Sequence, residues 1–268
     1  MYNKFICPIC GNSLQKYDNS LKCDKKHCFD ISSSGYVNLL TKGSKKGHGD
    51  DKIMVRARRD FLSKGYYGHL REALRKALSE IGKEKQTILD SGCGEGYYTK
   101  GFSDVFKESE IYGIDVSKEA LKLAAKLCPN VSFAAASAYC LPFENDSFDI
   151  ITSIFAPFAL NEFHRVLKQG GCFITAIPLE RHLFGLKQAV YEKPYLNKPE
   201  NTELEGFKLI FRAEVKKEIL LKGTEDIKNL FMMTPYYYKT SSEDQKKLDN
   251  IEKLSTETEF LVLSYIKQ

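Results

Sequence analysis

The hydrophobic positions of this 268-residue chain follow two patterns, which change at about Gln86. Before it, apolar residues recur at helical spacing over 50–63 and 70–81, which predicts two amphipathic helices. After it, short apolar runs alternate with helical periods. The runs predict seven strands, at 87–89, 110–114, 131–135, 148–153, 172–177, 216–221 and 259–265. The periods predict helices that end near Val105 and that cover 118–127 and 159–167.

This alternation is typical of βαβ units, in which right-handed crossovers build a parallel sheet with helices on both faces. The pattern therefore predicts an α/β fold with a Rossmann-like, mostly parallel, seven-stranded sheet. No apolar run reaches the length of about 18 residues that a membrane span needs. The first residues enter a cysteine pair without the apolar stretch of a secretory signal. We therefore expect a cytoplasmic protein with no membrane partner, whose eight cysteines are thiols or metal ligands.

The charge of the chain is unevenly distributed. Residues 1–69 contain 13 Lys and Arg against 6 Asp and no Glu, a charge of +7, whereas residues 70–268 contain 27 basic and 29 acidic side chains, a charge of −2. This asymmetry favours contact of the basic part with a polyanion such as RNA, although a solvated accessory region would look the same. The first predicted helix would place Lys52, Arg56 and Arg59 on one side. The Gly- and Ser-punctuated segment 41–49 predicts a flexible loop.

The N-terminal cysteines have the spacing of a zinc site. Cys7 and Cys10 form a C-x2-C pair, and Cys23 follows after twelve residues, with His27 three residues further on. A C-x2-C turn brings two thiolates to one ion, and a second pair completes a tetrahedron. Cys28 is an alternative fourth ligand that the spacing does not separate from His27. Redox pairs and inert cysteines are the alternatives to zinc, which would be structural and would stabilise so small a segment.

An acidic residue followed by G-x-G-x-G closes the first predicted strand, with Asp90, Gly92, Gly94, Glu95 and Gly96 in the loop. Glycines let a ligand approach the backbone and allow unusual dihedral angles. A dinucleotide-binding loop would read G-x-G-x-x-G and would hold a pyrophosphate, which a carboxylate repels. The loop therefore favours the cationic amino-acid moiety of S-adenosylmethionine.

The next two strand ends extend this cofactor site. Asp115 ends the second strand, where its carboxylate can accept hydrogen bonds from both ribose hydroxyls. Capping of the helix that begins near Ser117 is the alternative role for Asp115. The third strand-end loop should lie beside the adenine, and it offers Ser137 where many methyltransferases carry Asp.

These motifs, with Leu141–Phe143, Ser147–Asp149 and Glu162–Gly171, resemble class I methyltransferases over about residues 86–178. With the zinc pattern in front of them, the chain resembles the 23S ribosomal RNA guanine-N1-methyltransferases over nearly its whole length. The stretches that carry this second resemblance are Cys7–Cys10, Gly35–Leu40, Ala57–Leu62, Gly92–Thr99, Phe155–Pro157, Glu180–Leu183 and Met233–Pro235.

The resemblance implies a class I methyltransferase fold and methyl transfer from S-adenosylmethionine to N1 of a guanine in a hairpin loop of domain II of 23S ribosomal RNA. It also implies His27 as the fourth zinc ligand. Tyr67 and His182 are implied to help hold the cofactor; without the resemblance both would be taken for ordinary packing residues. A homodimer is a further expectation. We expect a zinc-binding module at 1–36, a basic linker with helices at 37–84 and the methyltransferase domain at 85–268.

The catalytic base is not evident from the sequence. Asp149, Glu162, His164 and His182 are candidates by location only. Enzymes that methylate exocyclic amines carry Asn/Asp-Pro-Pro-Tyr/Phe after the fourth strand, where this chain reads Ile-Phe-Ala-Pro-Phe, which disfavours that chemistry. Phe155 in this stretch could stack on an extruded base or pack in the core. The competing hypotheses are a methyltransferase for another RNA or a small molecule, and a binding protein with a degenerate fold.

Overall fold

A computed structural model describes residues 2–41, 50–81, 85–199 and 201–268. The flexible loop predicted at 41–49 lies, except for its first residue, outside the described residues. The strands are β1 Gln15–Tyr17, β2 Ser20–Lys22, β3 Cys28–Asp30, β4 Tyr36–Asn38, β5 Thr87–Ser91, β6 Glu110–Asp115, β7 Ser132–Ala135, β8 Phe148–Ile154, β9 Leu167–Pro178, β10 Phe207–Lys222 and β11 Lys253–Lys267.

The helices are α1 Lys52–Ser63, α2 Gly68–Ile81, α3 Tyr97–Val105, α4 Lys118–Leu127, α5 Leu160–Val166, α6 Phe184–Val190, α7 Thr224–Met232 and α8 Ser242–Lys246, with short 3-10 turns at Tyr237–Lys239 and Lys247–Asn250. Every strand and helix predicted from the periodicity is present, several of them longer than predicted. The short strands β1 to β4 and the helices α6 to α8 were not predicted. Within the described ranges, no helix is long and apolar enough to cross a membrane.

The main sheet has eight strands in the order β10-β11-β9-β8-β5-β6-β7-β4. The seven predicted strands are all in it, but the predicted total of seven was one too low, because β4 adds a strand. Val37 in β4 pairs in parallel with Ala134 in β7, which would otherwise leave a row of unpaired backbone groups at the sheet edge. The sheet is mostly parallel, as predicted, since only β11 runs antiparallel to its neighbours.

Strand order reverses between β5 and β8, which pair with each other in parallel. From β5 the chain builds towards β6 and β7 on one side, and from β8 it builds towards β9 on the other. At such a switch point the loops that follow the two central strands diverge, and they open a crevice at the carboxyl edge of the sheet. The fold therefore places the glycine loop after β5 beside the loop after β8.

Alternating side chains of the central strands build two cores, one on each face of the sheet. Ile88 and Ile150 belong to the core that the helices α2, α3 and α4 cover. The other core includes residues of the N-terminal segment: Phe5 stacks on Phe143 at 5.1 Å between ring centroids and meets Tyr112 edge-on at 5.5 Å. The zinc-binding segment is therefore packed against the sheet. The division into parts at 1–36, 37–84 and 85–268 stays a prediction.

Candidate functional site

Two tight turns bring the four predicted metal ligands together. In the first, the amide N–H of Gly11 donates to the carbonyl oxygen of Cys7 over 2.8 Å, which folds the C-x2-C pair back on itself. In the second, the amide N–H of Lys26 donates to the carbonyl oxygen of Cys23 over 3.0 Å. The residue that this second turn delivers to the cluster is His27.

The ligand atoms of Cys7, Cys10, Cys23 and His27 all lie within 4.8 Å of one another. The Sγ atoms of Cys10 and Cys23 are 3.7 Å apart, and the Nδ1 atom of His27 is 3.4 Å from the Sγ atoms of both Cys7 and Cys23. Zinc–sulfur bonds of about 2.3 Å in a tetrahedron place two sulfurs about 3.8 Å apart, so the cluster fits one zinc ion. Cys28 is exposed and outside the cluster, so His27 is the fourth ligand.

The glycine loop turns through left-handed backbone conformations. Gly92, Gly94 and Gly96 have φ angles of +78°, +56° and +88°. The amide N–H of Gly92 donates to the carbonyl oxygen of Ile114 over 2.8 Å, which fastens the loop to the end of β6. A Cβ atom on Gly92 would lie only 2.3 Å from Cβ of Ala156 in the loop after β8. Glycine is therefore required here by the dihedral angles and by the approach of the neighbouring loop.

Asp90 lies below this loop and is 2% exposed. Its carboxylate accepts hydrogen bonds from the hydroxyls of Thr99 in α3 and Thr152 in β8. Burial raises the pKa of Asp90 to about 6, although both hydroxyls favour the charged form. Burial also raises the pKa of Glu95 to about 7. Carboxyl groups whose pKa values are raised in this way favour a cation as neighbour, because the cation would stabilise their charged forms.

Asp115 closes the loop from the β6 side. Its carboxylate accepts the amide N–H of Gly94 over 2.9 Å and that of Ser117 over 2.7 Å. The N-cap of α4 is Ser117, whose hydroxyl accepts the N–H of Ala120, so the alternative role of Asp115 as the helix cap is wrong. Burial raises the pKa of Asp115, so this carboxyl group is the third in the loop whose charge is disfavoured before a ligand binds.

Ser137 lies in the turn after β7, at the same edge of the sheet. Its hydroxyl accepts the amide N–H of Tyr139 over 3.3 Å. Ala136 donates its amide N–H to the carbonyl oxygen of Asp115 over 3.1 Å, which joins this turn to the end of β6. The turn therefore lies beside the strand end that carries Asp115, where the sequence predicts the adenine.

Tyr67 and His182 meet in the buried core, with 3.4 Å between the Tyr67 hydroxyl and Nε2 of His182. The Nδ1 atom of His182 accepts the amide N–H of Glu259 over 3.2 Å, so a neutral ring carries its proton on Nε2, facing Tyr67. Burial lowers the pKa of His182 to about 3. Both rings pack on Phe260, at 5.0 Å from Tyr67 and 4.6 Å from His182 between centroids.

Phe155 links this aromatic cluster to the glycine loop. Its ring centroid is 5.5 Å from that of Phe260 and 6.3 Å from that of Tyr98, yet 48% of the residue is exposed. Its backbone is left-handed, with φ of +55°, a conformation that costs a non-glycine residue about 1 kcal/mol or more. Phe155 therefore packs against the aromatic cluster and leaves about half of its surface exposed, and its stacking on an extruded base stays a prediction.

None of the four candidates for the base is placed to take a proton at this crevice. Asp149 lies at the amino end of β8 and accepts the N–H of Thr87 and the ammonium of Lys168, each over 2.8 Å. Glu162 accepts the N–H of Leu141 and pairs with Arg165. His164 faces the backbone oxygen of Gln268 at 3.4 Å. His182 uses both ring nitrogens in the core contacts described above.

The polar groups of the crevice fit S-adenosylmethionine. The hydroxyls of Ser91 and Tyr98, next to the glycine loop, are buried without a hydrogen-bond partner among the described residues. Buried polar groups without partners are rare in proteins, and a ligand with polar groups at the loop could satisfy these two hydroxyls. Three carboxylates, two free hydroxyls and an open loop suit a cation that carries hydroxyls. Tyr98 and the two threonines that hold Asp90 were not predicted as site residues, because their contacts depend on how α3 and β8 pack beside the loop.

Known protein families match both parts of the chain. The family model described as "Methyltransferase domain" matches residues 88–171. The zinc-ribbon model described as "RlmA, N-terminal" matches residues 5–47. Together with the site geometry, these matches confirm the two expected cofactors, S-adenosylmethionine and one structural zinc ion.

Curated relatives resemble most of the chain. A Bacillus subtilis (strain 168) protein provisionally named 23S rRNA (guanine-N1-)-methyltransferase is 36% identical over 198 residues, which cover 71% of this chain and 70% of that protein. A Streptomyces fradiae protein named 23S rRNA (guanine(748)-N1)-methyltransferase is 32% identical, over 69% of this chain and 66% of that protein. A Micromonospora griseorubida protein provisionally given the same guanine-N1 activity is 31% identical, over 67% of each chain.

Solved structures agree on the fold. The YcgJ protein of Bacillus subtilis is 19% identical, covers 75% of this chain and 99% of its own, and gives a TM-score of 0.50. A Bacillus halodurans C-125 protein provisionally named a methyltransferase is 17% identical, covers 72% of this chain and 98% of its own, and also gives 0.50. At these identities the likeness concerns the fold alone, and the predicted class I methyltransferase fold is confirmed.

Proposed function

The chain belongs to the family of 23S rRNA (guanine-N1-)-methyltransferases, and from this premise we propose that it transfers the methyl group of S-adenosylmethionine to N1 of a guanine in a hairpin loop of domain II of 23S ribosomal RNA. The observation that carries the proposal is the presence, in one chain, of a complete zinc cluster and an intact acidic glycine loop. A small-molecule enzyme would need no zinc module, and a degenerate fold would not retain the buried carboxylates of the loop.

We assign the carboxylates of the loop by their positions. Asp90 and Glu95 would face the ammonium end of the cofactor, and Asp115 at the end of β6 would accept hydrogen bonds from the ribose hydroxyls. Ser137 would lie beside the adenine. When bound, S-adenosylmethionine supplies a methyl group on a cationic sulfur, which is open to in-line attack. The buried carboxylates around the loop would orient the bound cofactor, and positioning would contribute most of the catalysis.

The glycines and the aromatic core complete the cofactor site. Gly92, Gly94 and Gly96 leave the backbone open to the ligand, since side chains there would fill the loop. Tyr67 and His182 would form the wall behind the cofactor. Because Nε2 of His182 carries the proton, the hydroxyl oxygen of Tyr67 accepts the hydrogen bond between the two side chains. The hydroxyl proton of Tyr67 can therefore be donated to a further partner.

Exposed basic side chains of α1 and of the zinc-binding segment support an RNA substrate. In α1, Lys52, Arg56 and Arg59 are exposed on one side, as the helical spacing predicted. The zinc-binding segment exposes further lysines, namely Lys16, Lys22, Lys25 and Lys26. Cations of this kind bind phosphates without regard to sequence, and an unpaired loop base costs less to extrude than a base inside a stem. Phe155 offers its exposed face to such a base.

Homodimer formation and cytoplasmic location are further parts of the proposal. The outermost strand β10 leaves the edge of the described sheet open and exposes Leu209, Ile210 and Leu220 at 38%, 46% and 49%. Edges of this kind pair readily with another chain, which supports a dimer. Sedimentation of the purified protein over a range of concentrations would test it, and a monomer throughout would contradict it. A ribosomal RNA substrate supports the cytoplasm as the location.

The activity is tested by incubating purified protein with 23S ribosomal RNA and methyl-labelled S-adenosylmethionine. The RNA is then digested and its fragments are analysed by mass spectrometry. We expect one labelled 1-methylguanosine per RNA, in a hairpin-loop fragment of domain II. A Gly94→Val variant, in which a branched side chain enters a left-handed position, serves as the inactive control. Label on another base, on another atom of guanine or on no RNA would contradict the proposal.

A further inference from the structure

The first turn of α1 is tied to the cofactor loop. The hydroxyl of Ser117, at the end of the β6 segment, donates to the carbonyl oxygen of Asp50 over 2.9 Å. Asp51 then caps α1 by accepting the amide N–H groups of Ile53 and Met54 over 2.8 and 2.9 Å. These contacts hold the start of α1 beside the end of β6.

Arg58 is the inward-facing arginine of this helix. It forms an ion pair with Asp50, and its side chain is only 25% exposed. Its Nη1 atom lies 3.9 Å from the place that a Cβ atom on Gly94 would occupy, which puts the guanidinium directly at the glycine loop. Arg56 and Arg59, by contrast, are exposed on the outer side, and Arg59 pairs with Asp60. The three arginines of α1 therefore face two different surroundings.

The guanidinium of Arg58 interacts electrostatically with the carboxylates around the loop. Burial lowers the pKa of Arg58, but Asp50, Glu95 and Asp115 outweigh it and raise the pKa above its usual value. The guanidinium is therefore charged. It has five N–H bonds, and within the described part of the chain only one hydrogen bond, to Asp50, uses them. Donors remain for a second acceptor at the loop.

The cofactor itself presents such an acceptor. The amino-acid part of S-adenosylmethionine carries an ammonium and a carboxylate, and the carboxylates of Asp90, Glu95 and Asp115 suit only the first of these. A ligand carboxylate placed among them would be repelled unless a cation lies beside it. Arginine is suited to that position because its planar fork can serve two carboxylates at once.

We propose that Arg58 binds the carboxylate of the amino-acid moiety of S-adenosylmethionine while it keeps its ion pair with Asp50. This inference rests on the proposed function only as far as the cofactor is concerned, and it requires no RNA. It makes α1 part of the cofactor site on its inner side and part of the RNA surface on its outer side. Arg58 is then a specificity residue, which distinguishes the cofactor from analogues without a carboxylate.

The test compares two ligands and three variants by calorimetry. The ligands are S-adenosylmethionine and its decarboxylated form, which keeps the sulfonium and the ammonium and lacks only the carboxylate. In the parent protein, we expect decarboxylated S-adenosylmethionine to bind about 10- to 100-fold more weakly, as for the loss of a charged hydrogen-bonded pair. In Arg58→Ala this difference between the two ligands should vanish, because the partner of the carboxylate is gone.

Two further variants separate this role from a structural one. Arg58→Gln keeps much of the side-chain packing without the charge and should also lose the preference, so it replaces Arg58→Ala if that variant melts early. Arg56→Ala, on the outer side of the same helix, should keep the full preference. If Arg58→Gln still prefers S-adenosylmethionine as strongly as the parent, or if both ligands bind equally to the parent, the inference is wrong. Binding without methylation of 23S RNA would instead overturn the proposed function.

Discussion

Replacement of Gly92 by Ala tests the close packing of the glycine loop. A Cβ atom at this position meets two obstacles: the backbone is left-handed, with φ of +78°, and Cβ of Ala156 would lie 2.3 Å away. The matched control is Gly170→Ala. Gly170 has nearly the same φ, +72°, but it is exposed near the start of β9, with nothing within 4 Å of the added atom. The two variants therefore share the dihedral cost and differ in the contact.

The expected free energies follow from these two terms. A left-handed alanine costs about 1–2 kcal/mol, and this applies to both positions. The loss of glycine also makes the unfolded chain less flexible, which offsets about 0.4–1 kcal/mol of this cost in both variants. An overpacked contact adds about 1–3 kcal/mol, and only Gly92→Ala has it. Gly92→Ala should therefore be less stable than Gly170→Ala by about 1–3 kcal/mol.

The measurement is urea unfolding of the parent and both variants without cofactor, followed by titration with S-adenosylmethionine. Gly92→Ala should also bind the cofactor more weakly, because the added methyl group pushes Ala156 and the neighbouring Phe155 away from the loop. Gly170→Ala should bind it like the parent. Equal destabilisation of the two variants would refute the reasoning, since it would mean that Ala156 moves at no cost.

Three further perturbations have defined outcomes. Cys7→Ser should release the zinc ion, as elemental analysis would show, whereas Cys28→Ser should retain it; zinc lost from both would contradict the ligand assignment. The pKa values of Glu95 and Asp90 are raised to about 7 and about 6 in the folded protein. As the pH falls through these values, the folded protein therefore binds protons more tightly than the unfolded chain does. On acidification, these two groups should therefore raise the melting temperature of the protein without cofactor. The further rise in melting temperature that S-adenosylmethionine causes should become smaller over the same pH range. If that rise does not change with pH, neither group takes part in cofactor binding. Arg56→Ala should weaken RNA binding and lower its salt dependence by about one phosphate contact, and an unchanged salt slope would remove Arg56 from the RNA surface.

Local patterns in the sequence were sufficient to predict most of the fold. Periodicity identifies elements such as α4, predicted and found at 118–127, because each repeats its apolar positions over several turns. The three-residue strand Tyr36–Asn38 has no period to detect, and its partner β7 lies almost a hundred residues away. The eighth strand is therefore a consequence of tertiary packing, and so is the attachment of the zinc segment to the sheet through Phe5.

The site shows the same division. The zinc ligands and the glycine loop are short-range motifs, so the sequence predicts them directly. Which arginine of α1 turns inward depends on where the helix lies against the loop, and only the structure distinguishes Arg58 from its neighbours. The contact between Tyr67 and His182 joins residues 115 positions apart, which no spacing rule predicts. The resemblance to a family indicated both residues, and the structure gives the physical reason to consider them together.

The central claim is tested most directly in a strain that lacks this protein. The 23S ribosomal RNA of the parent and the deletion strain would be digested and compared by mass spectrometry. We predict that one 1-methylguanosine, in a hairpin loop of domain II, disappears in the deletion strain and returns when the intact protein is supplied, but not with Gly94→Val. Identical methylation of 23S RNA in both strains, or loss of a methyl group at another atom or base, would contradict the assigned function.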